Sequence, residues 1–84
     1  LLACIQDNLS DVHAETGCVE YQPMVDIESS LGAQELDENI VTMVDIWETM
    51  GNLDAHAISP HMLKYRERVK DIVESVSLKV LTAA

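Results

Sequence analysis

The sequence predicts one α+β domain over residues 1–84, a ferredoxin-like βαββαβ unit with its first strand missing from the chain. Three observations lead there. Two segments carry apolar residues at helical spacing, and three read as strands. Their order is helix, strand, strand, helix, strand, and one strand placed in front completes the split βαββαβ arrangement.

The opening segment LLACIQDNLSDVHAETG has Leu2, Ile5, Leu9 and Val12 on one stripe. Gly17 suits a left-handed stop just after it. This helix opens at residue 1 with no capping residue ahead of it, so we expect an upstream segment. In CVEYQPMVD, Val19 and Tyr21 alternate with Glu20 and Gln22, as in a half-buried strand. Pro23 cannot donate a ladder hydrogen bond, which predicts an edge strand or a bulge there. IESSLGAQELDEN is polar, acidic and without period, and reads as a long loop.

IVTMVDIWE is the strongest strand signal. Ile40, Val44 and Ile46 project to one face, and Val41, Met43 and Trp47 to the other. Both faces therefore require cover. One can lie on the domain's own helices, but no spare element remains for the other, which predicts a homodimer through sheet-on-sheet packing. TMGNLDAHAIS reads as a short helix capped by Thr49. Ser59-Pro60 opens the next helix, with serine at the cap and proline in the first helical position. Met62, Tyr65, Val69, Ile72 and Val73 form its stripe. VSLKVLT then reads as a closing strand with Val76, Leu78 and Val80 on one side.

Bulk properties narrow the function. A chain of 84 residues buries only about 60–65% of its unfolded surface, so a partner subunit would add needed stability. The formal charge of −10 argues against nucleic acid and anionic membrane as partners, since both require a basic face. Lys64, Arg66, Arg68 and Lys70 crowd one segment, but Glu67, Asp71 and Glu74 interleave them. That pattern reads as a solvated helix face, with a phosphate-binding patch as the alternative. No run approaches the ~18 apolar residues of a membrane span. Cys4 and Cys18 form no C-x-x-C pair and read as buried thiols of a cytoplasmic protein.

The residues able to carry chemistry gather in one stretch: Asp45-Ile46-Trp47-Glu48, His56, Ser59-Pro60-His61-Met62 and Tyr65. A strand end, a short helix and the first turn of a longer helix would bring them around one cavity. In its first turn His61 meets the positive end of a helix dipole, which favours a neutral imidazole able to take a proton. His56 closes the preceding helix, where the dipole acts in the opposite sense. Each residue also has a structural alternative. His61 can satisfy cap groups and His56 can bond within the core. Trp47 and Tyr65 can serve as packing, while Tyr21 reads as structural and His13 as a surface residue. A metal site is not predicted, because His56 and His61 lack the spacing of a zinc-protease helix pair. Asp45 or Glu48 would be needed as added ligands.

The segments ETGCVEYQP, DIWETMGNLDAHAISPHM and KYRERVKDIVESVSLKVL resemble the antibiotic biosynthesis monooxygenase domains, especially their quinol monooxygenase-like members. The spacing from Trp47 to His56 to Ser59-Pro60-His61 carries the resemblance, since no simple amphipathic pattern demands it. The resemblance implies a dimeric α+β barrel and oxidation of a quinol or other phenolic small molecule with O2, without metal, flavin or other cofactor. On that reading His61 and His56 are catalytic, and Trp47, Tyr65 and Asp45 contact the substrate. Two departures stand out: Asp45 where the family usually has glutamate, and Gly51-Asn52 where it has better helix formers. Two other function classes fit the same residues. One is an acid–base isomerase of a small metabolite; the other is a non-catalytic dimeric module that binds an aromatic ligand.

Overall fold

A computed structural model describes all residues, 1–84. The element order is α1 (Leu2–His13), β1 (Cys18–Met24), β2 (Thr42–Trp47), α2 (Met50–Ala57) and α3 (Pro60–Val69). The class is α+β, with a two-stranded antiparallel sheet. The helices pack on one face of that sheet.

Helix α1 buries Cys4, Ile5, Asn8 and Val12, close to the predicted stripe. It ends at His13, earlier than Gly17 suggests, and Ala14 caps it in the right-handed region. Gly17 is needed in the following turn for two other reasons. Its φ is +79°, and a Cβ there would collide with the side chain of Asn52. The same turn holds the sheet, since the Gly17 carbonyl accepts from the Glu48 N–H at 2.9 Å.

The strands pair with Cys18 opposite Trp47, Tyr21 opposite Asp45 and Met24 opposite Thr42. A bulge between Cys18 and Glu20 inserts Val19 as an extra residue. Strict alternation would have put Val19 on the face of Tyr21. The bulge corrects this: Val19 is exposed whereas Tyr21 is buried. At Pro23 the edge alternative holds, since β1 is an edge of a two-stranded sheet, and the bulge lies four residues earlier. Residues 25–41 have neither helix nor strand; this loop contains the predicted 27–39 and also Ile40 and Val41, expected as strand, since β2 starts only at Thr42. Short polar links tie it together, among them the Asp37 N–H to Asp26 Oδ2 at 2.8 Å.

Three buried residues, Val12, Tyr21 and Met62, make the central cluster, with Leu9, Cys18, Met43, Trp47 and Tyr65 packed against it. Only eight of the 84 residues are buried, so this core leaves a single chain with a narrow margin. The outer face of the sheet is open, with Met24, Val44 and Ile46 all exposed.

The closing strand expected at VSLKVLT does not form. Residues 73–84 have no regular structure, and Val76, Leu78, Val80 and Leu81 are exposed. A strand is held by ladder bonds to a neighbour, and alternation of apolar residues supplies none of them. Helix α3 likewise stops at Val69, so Ile72 is exposed and does not extend the buried stripe. The basic segment behaves as a solvated face. Arg68 pairs with Asp7 at 3.0 Å and Lys70 with Glu67 at 2.6 Å, all with exposed side chains. No helix is long and apolar enough to cross a membrane.

Candidate active site

The site is built where three chain segments meet: the turn after α1, the last turn of α2 and the first turn of α3. Local sequence sets each in place. Thr49 caps α2 as predicted, its Oγ1 accepting from the Asn52 N–H at 3.0 Å. The Thr49 hydroxyl in turn donates to Asn52 Oδ1 at 2.8 Å, which holds Asn52 over Gly17. The weak helix former at position 52 therefore has a packing role. Helix α2 ends at Ala57, and Pro60 starts α3 after the Ser59 cap position. This break places His56 and His61 on opposite sides of a sharp turn. The Ser59 hydroxyl donates to the His56 carbonyl at 2.8 Å and closes it.

Both histidines face one carboxylate. Glu15 Oε2 lies 2.8 Å from His56 Nδ1 and 2.8 Å from His61 Nε2. The His56 ring is buried and the Glu15 side chain only 14% exposed, so these contacts are poorly screened and stronger than surface pairs. His61 Nε2 also lies 3.2 Å from Ser59 Oγ. The helix ends set the two histidines apart in sequence; a shared carboxylate links them in space.

Trp47 covers the other side of His56. The two rings are 4.5 Å apart between centroids and tilted by 32°, and Tyr21 meets His56 edge-on at 5.4 Å. The Trp47 Nε1–H is buried without a completed hydrogen bond. Asp45 sits two residues before it on the same face of β2. Burial on its protein side pushes the Asp45 carboxyl up, and the charge of His56 partly offsets this. Solvent still reaches Asp45, so the desolvation is partial. Burial, and then the charge of Asp45, raises the Tyr21 hydroxyl far above its ordinary value. Tyr21 is buried in the central cluster.

His56, His61, Trp47 and Asp45 are thus brought together, and Tyr65 is not placed with all of them. Tyr65 packs against the central cluster and lines, with His61, a groove of about 150 Å³ beside Asp7, Asp11, Lys64 and Arg68. His56, Trp47 and Asp45 do not line that groove. Burial also raises the Tyr65 hydroxyl. Glu15 is the residue that sequence reasoning missed. It lies within a segment that carries the family resemblance, but one acid among fifteen Asp and Glu gives no signal of its own.

The ligand atoms of Glu15, His56 and His61 lie within 4.8 Å of one another, a donor set that divalent transition metals accept. The two 2.8 Å N···O separations are hydrogen-bond lengths. They suit a proton-bridged cluster able to orient imidazoles and move protons. Glu48, the other acid considered as a ligand, is exposed at the end of β2.

The family model for antibiotic biosynthesis monooxygenase matches residues 1–68. The chain belongs to that family. It is similar to the "Probable quinol monooxygenase YgiN" of Escherichia coli strain K12, at 36% identity over 67 residues. The proteins of the same name from Escherichia coli O157:H7 and Shigella flexneri match to the same degree. The match covers 80% of this chain and 64% of the relatives, so the chain spans under two thirds of their length. The family match over residues 1–68 includes the turn with Glu15, both histidine segments and the Trp47 strand.

Cys18 provides a test of the local electrostatics. Both cysteines are free thiols. Burial, followed by the charges of Glu15, Asp45 and Glu20, pushes the Cys18 thiol above its usual 9.0. A raised thiol holds less thiolate at any pH below its new midpoint, and thiolate is the reactive form. In the folded protein Cys18 should therefore be alkylated by iodoacetamide at pH 8–9 more slowly than in the urea-unfolded chain. Site-resolved mass spectrometry would read the rates; equal rates in both states would remove the electrostatic argument.

Proposed function

We propose that this domain is a cofactor-independent monooxygenase that oxidises a quinol or related phenol with O2. His56 and His61 supply the acid–base groups, and Trp47 and Asp45 are the substrate contacts; Tyr65 lines a separate groove and is not among them. Family membership supports the reaction class. The observation that carries the site is two histidines held on one carboxylate, one of them beneath an indole face.

The chemistry needs little from the protein. A base removes a phenolic proton, and the electron-rich anion passes one electron to O2. The resulting semiquinone and superoxide combine to form a carbon–oxygen bond. Loss of water then leaves a hydroxyquinone. Hydroquinone and O2 thus yield hydroxyquinone and water, with all four electrons supplied by the substrate, so no separate reductant is required. The protein's contribution is to hold an unpaired base beside an apolar aromatic wall, where an anion forms away from bulk water.

The same reading includes a homodimer. The exposed apolar face of the sheet meets its counterpart in a dimeric α+β barrel in a cytoplasmic setting. Two-stranded sheets are marginal on their own, and apolar faces open to water cost free energy.

Oxygen uptake with a panel of hydroquinones tests the reaction. Wild type should consume O2 above background, and His61→Ala should reduce the rate about tenfold or more. Background uptake by wild type with every quinol would end the monooxygenase reading. Proton exchange on a substrate without oxygen uptake would instead favour the isomerase. A ligand that raises the melting temperature but is never turned over would favour the binding module.

A further inference from the structure

The geometry points to Glu15 as the positioning residue of this site, its one carboxylate oxygen fixing the proton of each histidine and leaving Nε2 of His56 as the base. The inference rests on the acid–base reading above and adds a residue and an atom to it.

A carboxylate only accepts hydrogen bonds. Glu15 Oε2 is 2.8 Å from His56 Nδ1 and 2.8 Å from His61 Nε2, so both nitrogens carry hydrogens. Ser59 gives an independent check. Its single hydroxyl proton is committed to the His56 carbonyl at 2.8 Å. Toward His61 Nε2, 3.2 Å away, Ser59 Oγ can then act only as an acceptor. Two acceptors facing one nitrogen require N–H there, so His61 is held in its Nε2–H form.

With its proton on Nδ1, neutral His56 has its lone pair on Nε2. That nitrogen makes no protein hydrogen bond, and it is not among the sealed, partnerless buried atoms, of which Trp47 Nε1 is the sole example. Trp47 and Tyr21 hold the ring from two sides. A ring flip would turn a carbon toward the carboxylate and forfeit a charge-assisted hydrogen bond. His61 differs in its surroundings, since it opens on the charged groove of Asp7, Asp11, Lys64 and Arg68. The residue suited to a phenolic substrate is therefore His56, with Glu15 acting through it. A carboxylate that orients an imidazole in this way contributes to rate without touching substrate.

Imidazole 15N NMR on the wild-type chain tests the assignment directly. At a pH where the rings are neutral, His56 should be in the Nδ1–H form and His61 in the Nε2–H form. Finding His56 in the Nε2–H form overturns the inference without any variant. In Glu15→Leu neither histidine keeps a side-chain acceptor at that position. His56 should then become a mixture of tautomers, and kcat with a quinol should fall about 10²-fold while KM stays within about twofold. Glu15→Asp keeps the charge and should recover part of the lost rate. An unchanged His56 tautomer in folded Glu15→Leu also overturns the inference. The NMR result does not depend on turnover. The predicted tautomers with no oxygen uptake would therefore support the positioning role while removing the monooxygenase reading, and the wrong tautomer with full uptake would do the reverse.

Discussion

Replacing His56 with alanine is expected to lower quinol-dependent oxygen uptake by about 10²–10⁴-fold, the range for loss of a general base. The same change should cost about 2–4 kcal/mol of stability by urea denaturation. The ring is 5% exposed and packs between Trp47 and Tyr21, so its removal opens a cavity. It also takes one of two donors from a mostly buried carboxylate. The penalty stays below that of a fully orphaned ion because His61 still faces Glu15. His56→Gln separates the two effects. It retains bulk and a donor near Glu15 and should recover much of the stability, but it has no basic nitrogen and should stay inactive. Full activity in the alanine variant would remove His56 from the mechanism.

If the chain forms the proposed homodimer, Ile46→Lys should convert it to monomer, with association weakened by at least about 10²-fold, or ~2.7 kcal/mol. Ile46 lies on the outer face of β2, 51% exposed, alongside Val44 at 38% and Met24 at 46%. Such a face loses free energy in water at roughly 25 cal/mol for each Å² left uncovered. A lysine at its centre would have to desolvate an ammonium group between two sheets with no anion provided for it. Sedimentation velocity over a range of concentrations reads the outcome. If wild type is a well-folded monomer at micromolar concentration, the outer face is not a subunit interface. Loss of oxygen uptake alongside dissociation would further indicate that the site needs its partner.

Much of the frame was legible in the order of residues. The stripe of Leu2, Ile5, Leu9 and Val12 marks α1 because a helix repeats every 3.6 residues. Ser59-Pro60 marks the start of α3 because proline lacks the donor that a first helical turn does not use. The two-sided apolar character of β2 was equally plain, and its outer face is indeed left open in a single chain. The closing strand at Val76–Val80 was not legible in the same sense. Alternation states which face a strand would bury, but a neighbour must be present before it forms, and pairing partners are not written in the segment itself. The bulge at Val19 failed to show for a related reason: it depends on the register against β2, which two separate segments fix jointly.

The candidate site divides along the same line. His56, His61, Trp47 and Asp45 could be picked out because a break between two short helices, following a strand end, confines them within a short stretch. Tyr65 shared that stretch, yet helix α3 turns it toward a different groove. Glu15 could not be picked out, being one acid among many and more than forty residues from either histidine. Local periodicity and capping chemistry act over a few residues and so are readable along the chain. The meeting of a carboxylate with two imidazoles depends on how helices dock on a sheet, and that is a property of packing in three dimensions.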